Sequence, residues 1–130
     1  MTTGWEGLVA YNNENVFAKI LRGEMSCDKV YEDEHVLAFN DINPQRPVHI
    51  LVIPKGSYEN MSDFSAQASD QEITALIRAA GKIADDLGLS ESGFRLICNN
   101  GSDGHQEVPH LHVHIIGGAS AGPMLKRQAS

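Results

Sequence analysis

Hydrophobic and polar residues alternate most regularly near the end of the chain, in the seven residues HLHVHII at 110–116. Successive side chains of a β-strand point to opposite faces, so His110, His112 and His114 are predicted to share one face of a strand. The apolar residues between them then face the other way, toward a core. This pattern is compatible with a metal site, a catalytic site or a polar surface, and the rest of the chain must decide between them.

Other segments predict two helices and four more strands. NVFAKILR at 15–22 and SDQEITALIRAAGKIADDLG at 69–88 have the spacing of amphipathic helices. Ser69 and Glu72 match a capping box at the start of the second helix. The strand-like runs are KVYEDE (29–34), HVLAFNDI (35–42), VHILVIP (48–54), GFRLICN (93–99) and PHLHVHIIGG (109–118). Residues 56–68 are predicted to be a loop. The order of elements predicts an α+β fold, with an antiparallel sheet of about five strands and two main helices covering one face.

Composition and charge narrow the class of protein. With 130 residues, the chain is predicted to form one domain around a single core. The net charge of −7 argues against nucleic acid as a partner, because binding a nucleic-acid backbone needs clustered Lys and Arg. No apolar run approaches the ~20 residues of a membrane helix, so we expect no membrane partner. The first residues, MTTGWEG, lack the features of a signal peptide, and we expect a cytoplasmic protein.

The histidine row has three explanations. The first is a partly solvated polar face, although three imidazoles on one buried face are difficult to satisfy by chance. The second is a metal site. His110 and His114 would lie roughly 13 Å apart along a strand, too far to share an ion, but two of the three histidines could join His49 from another strand. The third is a nucleophile, because a neutral imidazole attacks phosphorus well and is unprotonated at neutral pH.

The loop before the histidines favours the nucleophile. The segment NNGSDGHQEV at 99–108 contains glycines that let successive backbone N–H groups turn inward and bind an anion. A nucleophilic imidazole needs an acceptor at its second nitrogen, and the phosphoryl oxygens need N–H donors. A loop of this kind leading directly into the histidine row can supply such donors. The sequence therefore predicts chemistry at phosphorus.

Several segments together resemble the histidine triad (HIT) family. HLHVHII matches the family's alternation of histidine with apolar residues. VYEDEHVLAFNDINPQRPVHILVIPK (30–55) and GHQEVPHLHVHIIGG (104–118) are similar to its two long blocks, and GPML (122–125) resembles the end of its Hint branch. The resemblance implies a HIT-like fold whose sheet is extended across a homodimer.

The resemblance also implies how the chain is organised. One domain spans 1–130, with a core at about 14–118. The tails at 1–13 and 119–130 are expected to be flexible or to contact the second subunit of the homodimer.

The same resemblance implies a function for each histidine. His112, in the middle of the triad, attacks the α-phosphate of a nucleotide and forms a nucleotidyl-histidine that water resolves. The backbone carbonyl of His110 holds His112 in its reactive tautomer, and His114 contacts the phosphate. His49 matches a fourth histidine that supports the triad.

A nucleotide-binding set follows from the resemblance as well. Asp41 matches the carboxylate that binds the ribose hydroxyls, which suits two acceptor oxygens facing a diol. Five residues match the walls of the family's purine pocket: Val16, Phe17, Ile20, Phe39 and Ile42. From composition alone, these residues would be predicted to belong to the hydrophobic core. The contacts to phosphate and leaving group match Asn99, the backbone at His105, and Gln106. Glu107 stands where some relatives carry a serine, and an extra carboxylate there favours leaving groups that carry an amine.

No metal and no other cofactor is expected. Many relatives carry a Cys-x-x-Cys pair in the first helix as half of a zinc site, but those positions here are Asn15 and Ala18. We therefore predict no structural zinc. Carboxylates do not gather beside the triad in a ligand pattern, and imidazole with backbone N–H groups can stabilise the charge on phosphorus.

The branch implied by the resemblance indicates the reaction. The third triad position is His114 rather than Gln, which is similar to the hydrolase branches. HIIGG followed by GPML resembles the purine nucleoside phosphoramidases, so the implied substrate is a purine nucleotide, an AMP or GMP conjugate with a P–N bond. Hydrolysis releases a nucleoside monophosphate and an amine. A dinucleoside polyphosphate hydrolase is one alternative. A nucleotide-binding interaction protein with incidental slow catalysis is an alternative of another class.

Overall fold

The computed structural model describes residues 10–125, and the outer parts of the predicted tails, 1–9 and 126–130, lie outside the described residues. The predicted α+β fold is confirmed, because one antiparallel sheet has five strands in the order β1-β2-β3-β5-β4. The strands are β1 (Lys29–Glu32), β2 (Val36–Asn40), β3 (Val48–Pro54), β4 (Arg95–Ile97) and β5 (Val113–Gly117). The helices are α1 (Val16–Leu21), α2 (Met61–Gln67), α3 (Asp70–Asp86) and α4 (Leu89–Ser92). Within 10–125, none of these helices is long and apolar enough to cross a membrane.

The central strand β3 is apolar on both faces and brings two of the histidines together. It pairs antiparallel with β2 on one side and β5 on the other. In the register with β5, Leu51 lies opposite His114 and His49 lies opposite Ile116. His49 and His114 are therefore diagonal neighbours on one face of the sheet, within reach of each other's side chains.

Each face of the sheet carries its own apolar cluster. The larger cluster packs under α3 and includes Leu111, Val113 and Ile115, the residues that alternate with the histidines. The smaller cluster lies on the opposite face and includes the aromatic residue of α1. Its members are Phe17, Leu37, Phe39, Leu51 and Ile53. The prediction that the helices cover one face is therefore wrong for α1. Since β2 and β3 carry apolar residues on both faces, both faces must be shielded from water by other elements.

Residues 56–68, predicted to be a loop, contain the helix α2. Asn60 precedes this helix, and its side chain accepts a hydrogen bond from the backbone N–H of Asp63. Phe64 is its one buried residue, so the segment has no apolar periodicity from which a helix could be predicted. The short helix α4 is also absent from the predicted elements, and it contributes only Leu89 to the core.

The strand that carries the histidines is shorter than predicted. β5 begins at Val113, so His110 and His112 precede the strand instead of lying within it. The backbone N–H of Leu111 donates to the carbonyl of Tyr58 at 2.8 Å, a bond to a loop that replaces the pairing with a neighbouring strand. The alternation of sides nevertheless continues through this segment, because its apolar residues remain in the cluster under α3.

Part of the predicted tail at 119–130 is bound to the body of the domain. Arg46 Nε donates to the carbonyl of Ser120 at 2.8 Å. Arg95 Nη2 donates to the carbonyl of Gly122 at 2.7 Å. These two arginines hold the backbone of the tail beside the outer strand β4.

Ser69→Ala tests the predicted capping box. The Ser69 hydroxyl accepts from the N–H of Glu72 at 3.1 Å, and the Glu72 carboxylate accepts from the N–H of Ser69 at 3.0 Å. The substitution leaves a helix N–H unpaired, so we expect the free energy of unfolding, measured by urea titration, to fall by about 1 kcal/mol. Ser90→Ala, at an exposed serine of α4, is the control and should change it by less than about 0.5 kcal/mol. Equal values for the two variants would show that the box adds nothing to stability.

Candidate active site

Two of the triad histidines, His112 and His114, line a pocket of about 380 Å³ on the face of the sheet that carries α1. Its lining combines residues predicted from the sequence with residues that were not: Phe17, Asn43, Gln45, His49, Asn99, His105, Glu107, Val108, His112 and His114. His110 does not line this pocket and lies completely buried behind it. The structure therefore brings together the middle and last histidines of the triad, with the first histidine beneath them.

Hydrogen bonds define where the proton of His110 lies. Nε2 is 2.9 Å from the backbone carbonyl of Pro54, which can only accept, so Nε2 carries the proton. Nδ1 must then accept, and it lies 2.5 Å from the hydroxyl of Tyr11. Burial lowers the pKa of His110 to about 4, so the ring is neutral at physiological pH.

His112 has the tautomer of a nucleophile. Its Nδ1 is 2.8 Å from the backbone carbonyl of His110, so Nδ1 donates and Nε2 keeps its lone pair. Burial lowers the pKa of His112, which keeps that lone pair free of a proton at neutral pH. The ring of Phe17 packs edge-on against the imidazole, with ring centroids 5.0 Å apart, and limits its rotation.

A second set of hydrogen bonds fixes the proton of His114. The backbone N–H of Gln45 donates to Nδ1 of His49 at 3.0 Å, so the proton of the neutral His49 ring is on Nε2. That nitrogen lies 2.8 Å from Nδ1 of His114 and 3.3 Å from Oδ2 of Asp41. His114 Nδ1 therefore accepts, and His114 Nε2 carries a proton. Burial lowers the pKa of His114 to about 4, which makes it a neutral hydrogen-bond donor at the pocket.

Asp41, His49 and His114 each place one possible ligand atom within 4.8 Å of the others, a spacing that a metal ion can bridge. The hydrogen bonds oppose a metal there. An ion would need the lone pair of His49 Nε2, but the N–H of Gln45 keeps the proton on that nitrogen. While the Gln45 N–H donates to His49, the three side chains do not fit a metal ion. The contacts of His49 Nε2 with His114 and Asp41 explain why the three side chains lie close together.

The loop at 99–108 uses several of its hydrogen-bonding groups internally. The side-chain amide of Gln106 donates to the carbonyl of Glu59 at 2.7 Å and accepts from the N–H of Gly101 at 3.0 Å. The N–H of His105 donates to the carbonyl of Ser102 at 3.0 Å. His105 also has a φ of 58°, in the left-handed region that favours glycine. Gln106 therefore braces the loop, while the exposed His105 lines the pocket.

The residues matched to the purine walls differ in burial. Phe17 and Phe39 are buried in the smaller cluster, and Val16 and Ile20 are partly buried against it. Ile42 is fully exposed. Its side chain takes no part in the core and is open to contact with a ligand.

Sequence reasoning missed three groups that orient the histidines: the Tyr11 hydroxyl, the Gln45 N–H and the Pro54 carbonyl. Two of them belong to the backbone, so no residue type at those positions identifies them. Tyr11 is separated from His110 by 99 positions and belongs to no motif. No signal in the sequence could have linked the two.

The fold and the site define a class of protein: an α+β domain in which a neutral imidazole with a free Nε2 lone pair lies beside an imidazole that carries its proton on Nε2. The profile of the HIT domain family matches residues 22–121, and the chain belongs to this family.

Relatives agree with this assignment. The chain is 56% identical over 117 residues to an uncharacterised 13.2 kDa HIT-like protein of Azospirillum brasilense, covering 90% of this chain and 96% of that protein. It is 46% identical over 112 residues to the purine nucleoside phosphoramidase of Escherichia coli strain K12, covering 86% and 93%. A HIT family hydrolase from Clostridium thermocellum superposes with a TM-score of 0.79 at 42% identity, covering 88% and 99%. The chain is a hydrolase of the HIT family.

The lowered pKa values of two triad histidines make stability depend on pH. The pKa values of His110 and His114 are about 4 in the folded protein, below the ordinary value near 6.5. Between pH 6.5 and 4 the unfolded chain therefore binds more protons than the folded one. This contribution to stability is complete above pH 6.5 and is lost as the pH falls toward 4. We expect the free energy of unfolding, measured in urea at several pH values, to decrease across this window.

His114→Gln provides the comparison for this prediction. A glutamine oxygen can still accept from His49 Nε2 but does not titrate. The slope of unfolding free energy against pH between 6.5 and 4 should be smaller in this variant than in the wild type. An unchanged slope would show that His114 does not contribute to the acid sensitivity.

Proposed function

We propose that this protein hydrolyses purine nucleoside phosphoramidates at the α-phosphate, through a nucleotidyl-histidine on His112, and releases a nucleoside monophosphate and an amine. The hydrogen bond from His112 Nδ1 to the His110 carbonyl carries the proposal, because it leaves the Nε2 lone pair at the pocket. The likeness to the Escherichia coli purine nucleoside phosphoramidase supports the choice of substrate.

The first step transfers the nucleotide to the enzyme. The lone pair of His112 Nε2 attacks the α-phosphorus and forms a P–N bond, while the bond from phosphorus to the substrate amine breaks. The amine leaves with a proton from solvent. Positive charge develops on the His112 ring, where the Nδ1–H bond to the His110 carbonyl stabilises it. His114 Nε2–H donates to a phosphoryl oxygen, since His114 Nδ1 is occupied by His49.

The second step releases the nucleotide. Water attacks phosphorus, the P–N bond to His112 breaks, and the proton lost by water balances the one that left with the amine. The neutral His112 is restored with its proton on Nδ1, because the His110 carbonyl still requires a donor there.

The nucleoside is assigned to the surface next to the pocket, formed by Asp41, Ile42 and the residues of α1. Asp41 Oδ1 accepts from the N–H of Asn43 at 2.8 Å, which orients the carboxylate and leaves lone pairs for the ribose hydroxyls. Phe17 with the partly buried residues of α1, and the exposed Ile42, provide apolar surface for a purine. Asn99 lines the pocket and is assigned to the phosphate.

Glu107 favours the phosphoramidase over a dinucleoside polyphosphate hydrolase. It is the one carboxylate among the described residues that line the pocket of His112, while Arg46 and Arg95 line an adjoining cavity that shares His49 and His114. A carboxylate repels a long polyphosphate leaving group and attracts an amine that becomes protonated. The rate with adenosine 5′-phosphoramidate should exceed the rate with diadenosine tetraphosphate, with AMP binding measured in parallel. Binding without turnover of either substrate would favour the interaction protein instead.

His112→Asn tests the nucleophile. Asparagine retains polarity but cannot attack phosphorus, so kcat should fall by at least about 10³-fold while AMP binding by calorimetry remains close to wild type. His114→Ala should lower kcat by about 10²–10³-fold, as expected when one donor to the phosphoryl group is lost. His35→Asn, at a histidine outside the pocket, is the control and should leave kcat unchanged. A nucleotide adduct trapped on His112 would support the mechanism, and full activity of His112→Asn would exclude it.

We propose that the working form is a homodimer, extended through the outer strand β4. Phe94 and Leu96 near this strand are 38% and 46% exposed, and Ile77 on α3 is 63% exposed. In the described chain β4 pairs only with β5, so its other edge is open to a second copy.

Leu96→Lys tests the dimer. A charge placed in the proposed interface should convert a dimer to a monomer in light scattering at micromolar concentration. Met25→Lys, at another exposed apolar residue far along the chain from β4, is the control and should leave the mass unchanged. A monomeric wild-type protein would exclude the dimer.

A further inference from the structure

The first histidine of the triad is held by a residue from the opposite end of the chain. The Tyr11 hydroxyl lies 2.5 Å from His110 Nδ1, and the two rings meet edge to face with centroids 5.6 Å apart. The Asn15 side-chain amide donates to the same hydroxyl at 2.9 Å. Asn15 also caps α1, so the start of this helix is joined through Tyr11 to the triad.

The direction of each hydrogen bond follows from the groups involved. The Pro54 carbonyl can only accept, which places the proton of His110 on Nε2 and leaves Nδ1 as an acceptor. The Asn15 amide can only donate through its nitrogen, so the Tyr11 oxygen accepts from it. The hydroxyl proton of Tyr11 is then free for His110 Nδ1. Burial raises the pKa of Tyr11, so the hydroxyl keeps that proton at neutral pH.

His110 needs such support because the sheet does not hold it. β5 begins at Val113, so the His110 carbonyl precedes the ladder that fixes the backbone of a strand. Its N–H donates to Val108 at 2.8 Å, within the loop. The N–H of Leu111, in the same peptide unit as the His110 carbonyl, donates to the carbonyl of Tyr58 at 2.8 Å. The two ends of the His110 ring add further constraints, one bound to Pro54 in β3 and one to Tyr11.

We propose that Tyr11 is a positioning residue for the nucleophile. By holding the His110 ring, its hydroxyl keeps the His110 main-chain carbonyl where it accepts from His112 Nδ1 and so determines the reactive tautomer. The proposal rests on the proposed function only in taking His112 as the group that attacks. Tyr11 does not line the pocket and acts on the reaction through His110.

Tyr11→Phe removes the hydroxyl and keeps the ring. The first measurement is the 15N spectrum of the imidazoles at neutral pH, which distinguishes protonated from unprotonated ring nitrogens. In the wild type we expect His112 to be protonated at Nδ1. In the variant we expect a mixture of tautomers, because His110 Nδ1 loses its donor and the carbonyl loses one of the constraints on its position.

The second measurement is turnover of adenosine 5′-phosphoramidate. Tyr11→Phe should lower kcat by about tenfold, the order of one hydrogen bond, with little change in KM. Tyr31→Phe is the matched control, since it also removes one tyrosine hydroxyl. The Tyr31 hydroxyl, in β1, donates to the carboxylate of Asp33 at 2.7 Å. This control should change neither the His112 tautomer nor kcat.

Asn15→Asp tests the same link without altering Tyr11. The carboxylate retains an oxygen to cap α1 but replaces the amide donor by an acceptor, which draws the Tyr11 proton away from His110. It should shift the His112 tautomer and kcat in the same direction as Tyr11→Phe. If Tyr11→Phe does not fold, this variant provides the measurement.

A folded Tyr11→Phe protein with the wild-type His112 tautomer and wild-type kcat would overturn the proposal, even if its thermal stability were lower. Tyr11 would then only attach the start of the chain to the domain. The 15N measurement needs no substrate. A wild-type protein that fails to hydrolyse phosphoramidates but shows the tautomer shift in Tyr11→Phe would contradict the proposed function and support the positioning by Tyr11.

Discussion

The site depends on one hydrogen bond, between His112 Nδ1 and the main-chain carbonyl of His110. A neutral imidazole has one N–H, and a carbonyl that accepts at Nδ1 determines that Nε2 has the lone pair. The same bond can stabilise positive charge on the ring once Nε2 has reacted. A side chain placed here by packing alone would interconvert between two tautomers, only one of which can attack through Nε2.

The two ends of β3 determine the protons of the other histidines. At one end, the turn before the strand provides the N–H of Gln45, which fixes His49 and through it His114. At the other end, the carbonyl of Pro54 fixes His110. The Pro54 carbonyl belongs to the buried central strand itself, and the Gln45 N–H lies in the bend that leads into it. Burial adds to this order by lowering the pKa of each triad histidine, so that all three are neutral where their hydrogen bonds require it.

The two faces of the sheet carry different groups of residues. The face under α3 takes the apolar residues that alternate with the histidines and forms the larger cluster. The opposite face takes the histidines and the smaller cluster of α1, whose Phe17 packs edge-on against His112. Alternation at 110–116 therefore places core residues on one side and the histidines of the candidate site on the other, although regular strand pairing covers only its second half.

The sequence by itself determined the α+β class, the five strands, the two main helices and the capping box at Ser69, because period and capping are local properties of the chain. It also identified the histidine face, and its resemblance to the HIT family agrees with the family match. It did not predict α2, which buries only Phe64. It also did not predict that α1 packs on the second face of the sheet. The tautomers were decided only by the tertiary structure. A buried imidazole takes its proton arrangement from whichever donor or acceptor the fold brings to it, and here these are two backbone groups and a tyrosine 99 positions away.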